Sequence, residues 1–192
     1  MIDLIYRIKK RLDAFVFMFF NKHRFNRYGK RVRIYNPIQV DCPSNIEIGD
    51  NVTLHYGCWI AANPLTGVKA SLTIDNGVSI GNFNHIYATR SIIIEKSVLT
   101  ADKVYISDNL HSYEDTSLPI MNQPIKQCKD VVIGEGSWIG ENVCIIGASI
   151  GKHCVIGANA VVTRDVPDFS VAVGAPAKVI KRYNSVSRQW DT

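Results

Sequence analysis

A period of six residues constrains this chain more than any other feature. Between Ile133 and Asp165 it reads I-G-E-G-S-W, I-G-E-N-V-C, I-I-G-A-S, I-G-K-H-C-V, I-G-A-N-A-V, V-T-R-D. An aliphatic residue returns at Ile133, Ile139 and Ile145, and after a five-residue turn at Ile150, Ile156 and Val162. Glycine follows it at Gly134, Gly140, Gly151 and Gly157. Helices repeat at about 3.6 residues and half-buried strands at about 2, so neither accounts for the pattern. Three short strands wound into one coil do account for it. In such a β-helix the aliphatic residue fills a narrow prism. The glycine after it is expected to turn the corner at positive φ.

The same count runs backward through the chain. It passes Ile48, Leu54 and Ile60, then Ile74, Ile80 and Ile86, then Ile94, Thr100 and Ile106. Pro64-Leu65-Thr66-Gly67 interrupts it with a loop, and a longer insertion spans about 112–130. Val32, Ile34, Ile38 and Val40 lead in. The expected architecture is all-β: a parallel β-helix domain over 32–183, with about five coils and an irregular leading turn. Pro167 stops the repeat, since proline cannot donate to a strand ladder. The C-terminal tail, 184–192, is short, and Tyr183–Trp190 is expected to be helical.

Residues 1–31 read differently. Ile5, Ile8, Leu12, Phe15, Val16 and Phe19 recur at steps of three and four, which predicts an amphipathic helix from Met1 to about Arg27. Residues 1–33 hold ten Lys or Arg and two acidic residues, whereas the rest of the chain holds twelve and fifteen. The helix is therefore expected to cap the open end of the coil, to touch an anionic membrane surface, or both. No apolar run approaches the ~20 residues of a transmembrane span. The five scattered cysteines suit free thiols in a reducing compartment, and the expected location is cytoplasmic, with the basic helix a candidate contact to the inner membrane face. The G-x-x-G patterns belong to the repeat and open no helix, so they are neither dinucleotide nor P-loop sites. Nothing in the basic segment reads as a nucleic-acid motif.

The repeats, the exit Val162-Thr163-Arg164-Asp165-Val166-Pro167 and the turn Val173-Gly174-Ala175-Pro176-Ala177-Lys178-Val179-Ile180 resemble the hexapeptide-repeat acyltransferases. Within them the chain resembles the maltose/galactoside acetyltransferase branch and the bacterial O-acetyltransferases of lipopolysaccharide and capsule biosynthesis. The resemblance implies a left-handed coil, a homotrimer, and acetyl-CoA as co-substrate between neighbouring subunits, with no metal. It places the catalytic histidine at His111, in Asp108-Asn109-Leu110-His111, where Asn109 replaces the first histidine of the family's Asp-His-x-His. It also places Trp138, Gly140, Ala158, Thr163, Arg164 and Lys181 along the CoA groove. The turn Ile145–Ser149 is one residue shorter than the common form.

The implied chemistry suits these residues. Acyl transfer to a hydroxyl needs a base near neutrality, which an imidazole provides. Glu114 or Asp115 is positioned in sequence to orient that ring. His85 is read as a surface histidine and a candidate contact to the acceptor. Asn122 and Gln123, in the insertion, offer amides to sugar hydroxyls. His153 reads as solvated. The carbohydrate acceptor is a nucleotide sugar, a lipid-linked glycan or a polysaccharide. N-acetylation of an amino-sugar nucleotide, a zinc hydratase on the same fold and a non-catalytic scaffold are the competing functions.

Overall fold

A computed structural model describes residues 2–191. Met1 and Thr192, the ends of the expected helix and tail, lie outside the described residues. The body is a parallel β-helix with three faces. Face one stacks Arg27–Tyr28, Ile46–Ile48, Ser71–Ile74, Ser91–Ile94 and Val131–Ile133, and single bridges continue it through Ile150 to Val166. Face two stacks Arg33–Ile34, Thr53–Leu54, Ser79–Ile80, Leu99–Thr100, Trp138–Ile139, Val155–Ile156 and Ser170–Val173. Face three stacks Gln39–Asp41, Trp59–Ala62, His85–Ala88, Tyr105–Ser107, Cys144–Ile146 and Val161–Val162. The six-stranded third face counts six coils, so the leading turn is a full coil rather than an irregular one.

Register explains why the period is six. Ile48, Ile74, Ile94 and Ile133 pair in succession on face one. Ile60, Ile86, Ile106, Ile145 and Val162 do so on face three. These residues are fully buried, and each is worth about 1.5–3 kcal/mol of transfer free energy. Thr100 is the polar exception in the corresponding column of face two, where it pairs with Ile139. Its hydroxyl donates to Asn84 Oδ1 at 2.8 Å and accepts from the Gly81 N–H at 3.0 Å, which satisfies it inside the prism.

The corners correct one expectation. Positive φ falls three residues after the aliphatic position, at Asn51, Gly57, Gly77, Phe83, Ser97, Lys103, Gly136, Asn142, His153, Asn159 and Phe169. The N–H of each left-handed residue bonds the coil beneath, as Ser97 does to Asn76 O at 2.9 Å. The glycines directly after the aliphatic residue have another reason to be small. A Cβ on Gly134 would lie 2.4 Å from the carbonyl carbon of Gly151, and one on Gly151 would lie 2.4 Å from Asp168 N.

Both ends also differ from expectation. Helix α1 spans Ile2–Asn21 and gives way to a 3-10 turn, Lys22–Arg24, rather than running to Arg27. It stops there because Arg27–Tyr28 is already committed to the first coil, paired with Glu47–Ile48. α1 packs on that coil through Ala14 and Phe17, not through its periodic apolar face, which is exposed. The expected C-terminal helix is a hairpin. Lys178–Asn184 pairs antiparallel with Ser170–Val173, and Gln189–Asp191 pairs back onto it. Asn184 Oδ1 accepts from Val186 and Ser187 N–H and so closes the turn, and Arg188 takes positive φ.

Candidate functional site

The insertion is built on one buried carboxylate. Asp108 is fully buried at the end of Tyr105–Ser107 and accepts from the backbone N–H groups of Thr89, Arg90 and Ser91, each at 2.8 Å. Burial pushes its carboxyl pKa up, but those donors and the Asn109 amide outweigh it and hold the pKa below the usual value. The Asp108 carbonyl accepts from Cys128 N–H at 2.8 Å and from Gln127 Nε2 at 2.7 Å, which ties the far end of the insertion to its start. Between these anchors Asn109–His111 and Ile125–Gln127 form an antiparallel pair, with His111 opposite Ile125. The insertion is therefore a hairpin with its tip at 112–124. The anchoring roles of Asp108 and Gln127 were not legible in the sequence; Asp108 stood out as the first residue of the Asp-x-x-His stretch where the repeat breaks, and nothing marked Gln127.

Between the hairpin and face three lies a cleft of about 360 Å³, lined by Leu65, His85, Tyr87 and Tyr105 on one side and Asn109, Leu110, His111 and Ile125 of the hairpin on the other. His85 is half-buried rather than a surface residue. It stacks on Trp59 at 4.2 Å and 10°, with Tyr105 at 5.2 Å. Trp59 Nε1 donates to Asp41 Oδ2 at 2.9 Å, which fixes the indole plane. The His85 Nε2 atom is buried with no hydrogen-bond partner, and burial lowers the ring's pKa, so it is neutral at pH 7. His111 and His85 thus share one cleft. His111 is exposed at its mouth.

Neither acidic candidate orients His111. Glu114 pairs with Lys126, and Asp115 accepts from Ser117 Oγ at 2.6 Å. Asn122 is exposed at the hairpin tip. Gln123 is buried and turned inward, with Nε2 donating to the carbonyls of Asp115 at 2.8 Å and Leu118 at 3.1 Å, so its amide holds the loop. Asn109, in the place of the family's first histidine, is buried and donates to Tyr87 O at 3.3 Å and Asp108 Oδ1 at 3.1 Å. His153 is exposed but stacks flat on Phe169 at 5.7 Å.

The six residues expected along a CoA groove do not meet in one cleft of a single subunit. Trp138 points outward from face two, between Leu99 and Val155, and Lys181 extends that column beside Val171. Gly140 and Ala158 stack at the corner between faces two and three, where a Cβ on Gly140 would lie 2.7 Å from Ala158 N. Thr163 and Arg164 are exposed just beyond Val161–Val162, at the end of face three. Among the described residues no group of three or more His, Cys, Asp or Glu could hold a metal ion.

Known proteins fit this geometry. Residues 130–164 match the family described as the hexapeptide repeat of succinyl-transferase. A putative lipopolysaccharide biosynthesis O-acetyl transferase of Escherichia coli is 32% identical over 162 residues, which is 81% of each chain. A probable acetyltransferase of Mycobacterium tuberculosis is 42% identical over 132 residues, 67% of this chain but 44% of that protein, so the chain spans less than half of that relative. An N-acyltransferase from Bacillus cereus, solved with dTDP-4-amino-4,6-dideoxyglucose and coenzyme A, superposes with a TM-score of 0.72 at 21% identity, covering 86% of this chain and 89% of that one. That likeness shows the fold, a left-handed parallel β-helix. From its repeat, its coil and its E. coli relative, the chain belongs to the hexapeptide-repeat acetyltransferases.

Proposed function

We propose that this chain transfers the acetyl group of acetyl-CoA to a hydroxyl of a sugar in lipopolysaccharide or polysaccharide assembly, in the cytoplasm, as a homotrimer. The observation that carries the reading is the cleft under the hairpin, with an imidazole at its mouth and an aromatic wall along face three. Sugars present apolar C–H faces and a rim of hydroxyls. His85, Tyr87 and Tyr105 supply flat surfaces for the first, with Trp59 stacked on His85, and Asn122 at the hairpin tip would supply an amide for the second.

His111 is the general base of this reading. Its neutral ring takes the hydroxyl proton as the sugar oxygen attacks the thioester carbonyl carbon. The tetrahedral oxyanion collapses, the carbon–sulfur bond breaks, and the CoA thiolate receives the proton from the imidazolium. His85, whose pKa burial lowers, adds no like charge beside the imidazolium and presents its ring edge to the acceptor as part of the cleft wall. Trp138, Gly140, Ala158, Thr163, Arg164 and Lys181 would hold CoA, with Arg164 and Lys181 meeting its phosphates. Supplying labelled acetyl-CoA with cell-envelope extract tests the whole reading. A labelled glycan whose label is lost in mild base supports an O-acetyl ester. A base-stable product would mean amide formation on an amino sugar, and no labelled glycan would sink the assignment.

A further inference from the structure

The helix α1 meets the body along one arc only. Ala14 is buried, Phe17 packs edge-on to Phe25 at 6.5 Å, and Lys10 Nζ stands 4.5 Å from the centre of the Tyr35 ring. At about 3.6 residues per turn, Ile8, Leu12, Phe15 and Phe19 fall on the opposite side of the helix. They are 58, 57, 56 and 63% exposed. Phe15 stacks on Phe19 at 6.3 Å and Phe20 meets Phe19 edge-on at 5.2 Å, so the apolar side chains form a continuous ridge. Lys9 and Arg11 fall on its two flanks, and Lys22 and Arg24 lie beyond its C-terminal end, all exposed. Asp13 sits toward the body and pairs with Lys9 at 4.0 Å.

We propose that this ridge docks onto an anionic lipid bilayer, with α1 lying in the plane of the interface and its basic flanks on the headgroups. An exposed aromatic and aliphatic ridge with Lys and Arg along both edges has the composition of an interfacial helix. Among the described residues no helix is long and apolar enough to cross a membrane, so contact through α1 is in-plane. Charge decides the occupant. The ten basic residues of 1–33 favour an anionic surface, each contributing when it lies close to the headgroups. Ridge-to-ridge pairing with a second copy would instead set the basic flanks of one chain against those of the other. The proposal stands apart from the acyl-transfer reading, because it rests on a surface outside the cleft and its test needs no catalysis.

Flotation of the full-length protein with phosphatidylcholine vesicles, with and without about one-third phosphatidylglycerol, tests it. Binding is expected to the anionic vesicles at low salt, weakening as salt screens the flanks. The variant Phe15→Asp with Phe19→Asp should lose binding by about tenfold or more at every salt concentration. Lys9→Glu with Arg11→Glu should lose at least about fivefold per residue at low salt and little at high salt. Both variants alter exposed side chains, so the oligomeric state and the melting temperature should hold. Failure of the wild type to float with anionic vesicles would overturn the proposal. So would undiminished binding by the Phe15/Phe19 variant, or a change in its oligomeric state, which would make the ridge a contact between copies.

Discussion

At the scale of single residues, one side chain anchors the cleft and a second is its proposed base. Asp108 is the first. Three backbone N–H groups converge on it, and replacing one carboxylate oxygen with an amide NH2 points a donor at donors. Asp108→Asn is expected to cost about 3 kcal/mol, read by thermal or urea unfolding. The pH dependence has a definite sign. The folded-state pKa is depressed, so the stabilisation is present above the unfolded value and is lost as pH falls through the folded one. Wild-type protein should therefore lose stability below about pH 4, and the Asn variant should show less of that loss. If both lose stability in parallel, the acid sensitivity belongs to other carboxylates. His111 is the second. His111→Ala should lose about 10²–10⁴ in kcat with CoA affinity unchanged, and His111→Asn should be no better, since neither retains a base. His85→Ala should act on the acceptor KM; abolition of turnover by that change, with His111→Ala near normal, would reverse the two roles.

Elements carry a different kind of constraint, set by how closely one coil lies on the next. A Cβ at Gly134 meets the backbone of Gly151, whereas one at Gly157 meets Cγ1 of Val173 at 2.8 Å, and that side chain can rotate. Gly134→Ala should destabilise by about 1–3 kcal/mol and Gly157→Ala by clearly less, measured by urea unfolding. Equal losses would mean the coils yield at either place. The hairpin tip should divide in the same way. Asn122→Ala should raise the acceptor KM alone, while Gln123→Ala should loosen the tip and make 112–124 more sensitive to protease, because its amide bridges Asp115 and Leu118. The contrast shows what a sequence discloses. The column Ile48, Ile74, Ile94, Ile133 is legible because burial in a prism forces a strict period. The reason for glycine beside it is not, since the blocking atoms lie in the next coil. The same holds for Gln123, whose partners are close in sequence but whose direction is set by the hairpin. His85 looked solvated because its shield, Trp59 and Tyr105, comes from the coils on either side. The helical reading of the tail failed because pairing along Ser170–Val173 overrode local preference.

For the whole molecule, the placement of the candidate CoA residues is the central fact. His111 stands over face three, whereas Trp138 and Lys181 point out from face two of the same subunit. Face two also leaves Leu99 and Trp138 at 47 and 49% exposure, and Ile180 at 46% on Lys178–Asn184. A column of that kind is a contact surface in search of a neighbour. In the proposed homotrimer, a head-to-tail ring would set face two of one subunit against face three of the next, cover the column and bring Trp138 and Lys181 to the neighbour's His111. Sedimentation should then give three times the 21.5 kDa chain mass. Mixing two inactive proteins is the sharper test. Subunits carrying His111→Ala keep an intact face two, and subunits carrying Trp138→Ala with Lys181→Glu keep an intact histidine. After unfolding and refolding them together in equal amounts, about a quarter of the interfaces should join the two intact halves and recover that share of wild-type activity. Each variant refolded alone should stay inactive. If the mixture is as inactive as its components while trimers form normally, every site is complete within one chain and the shared groove is wrong.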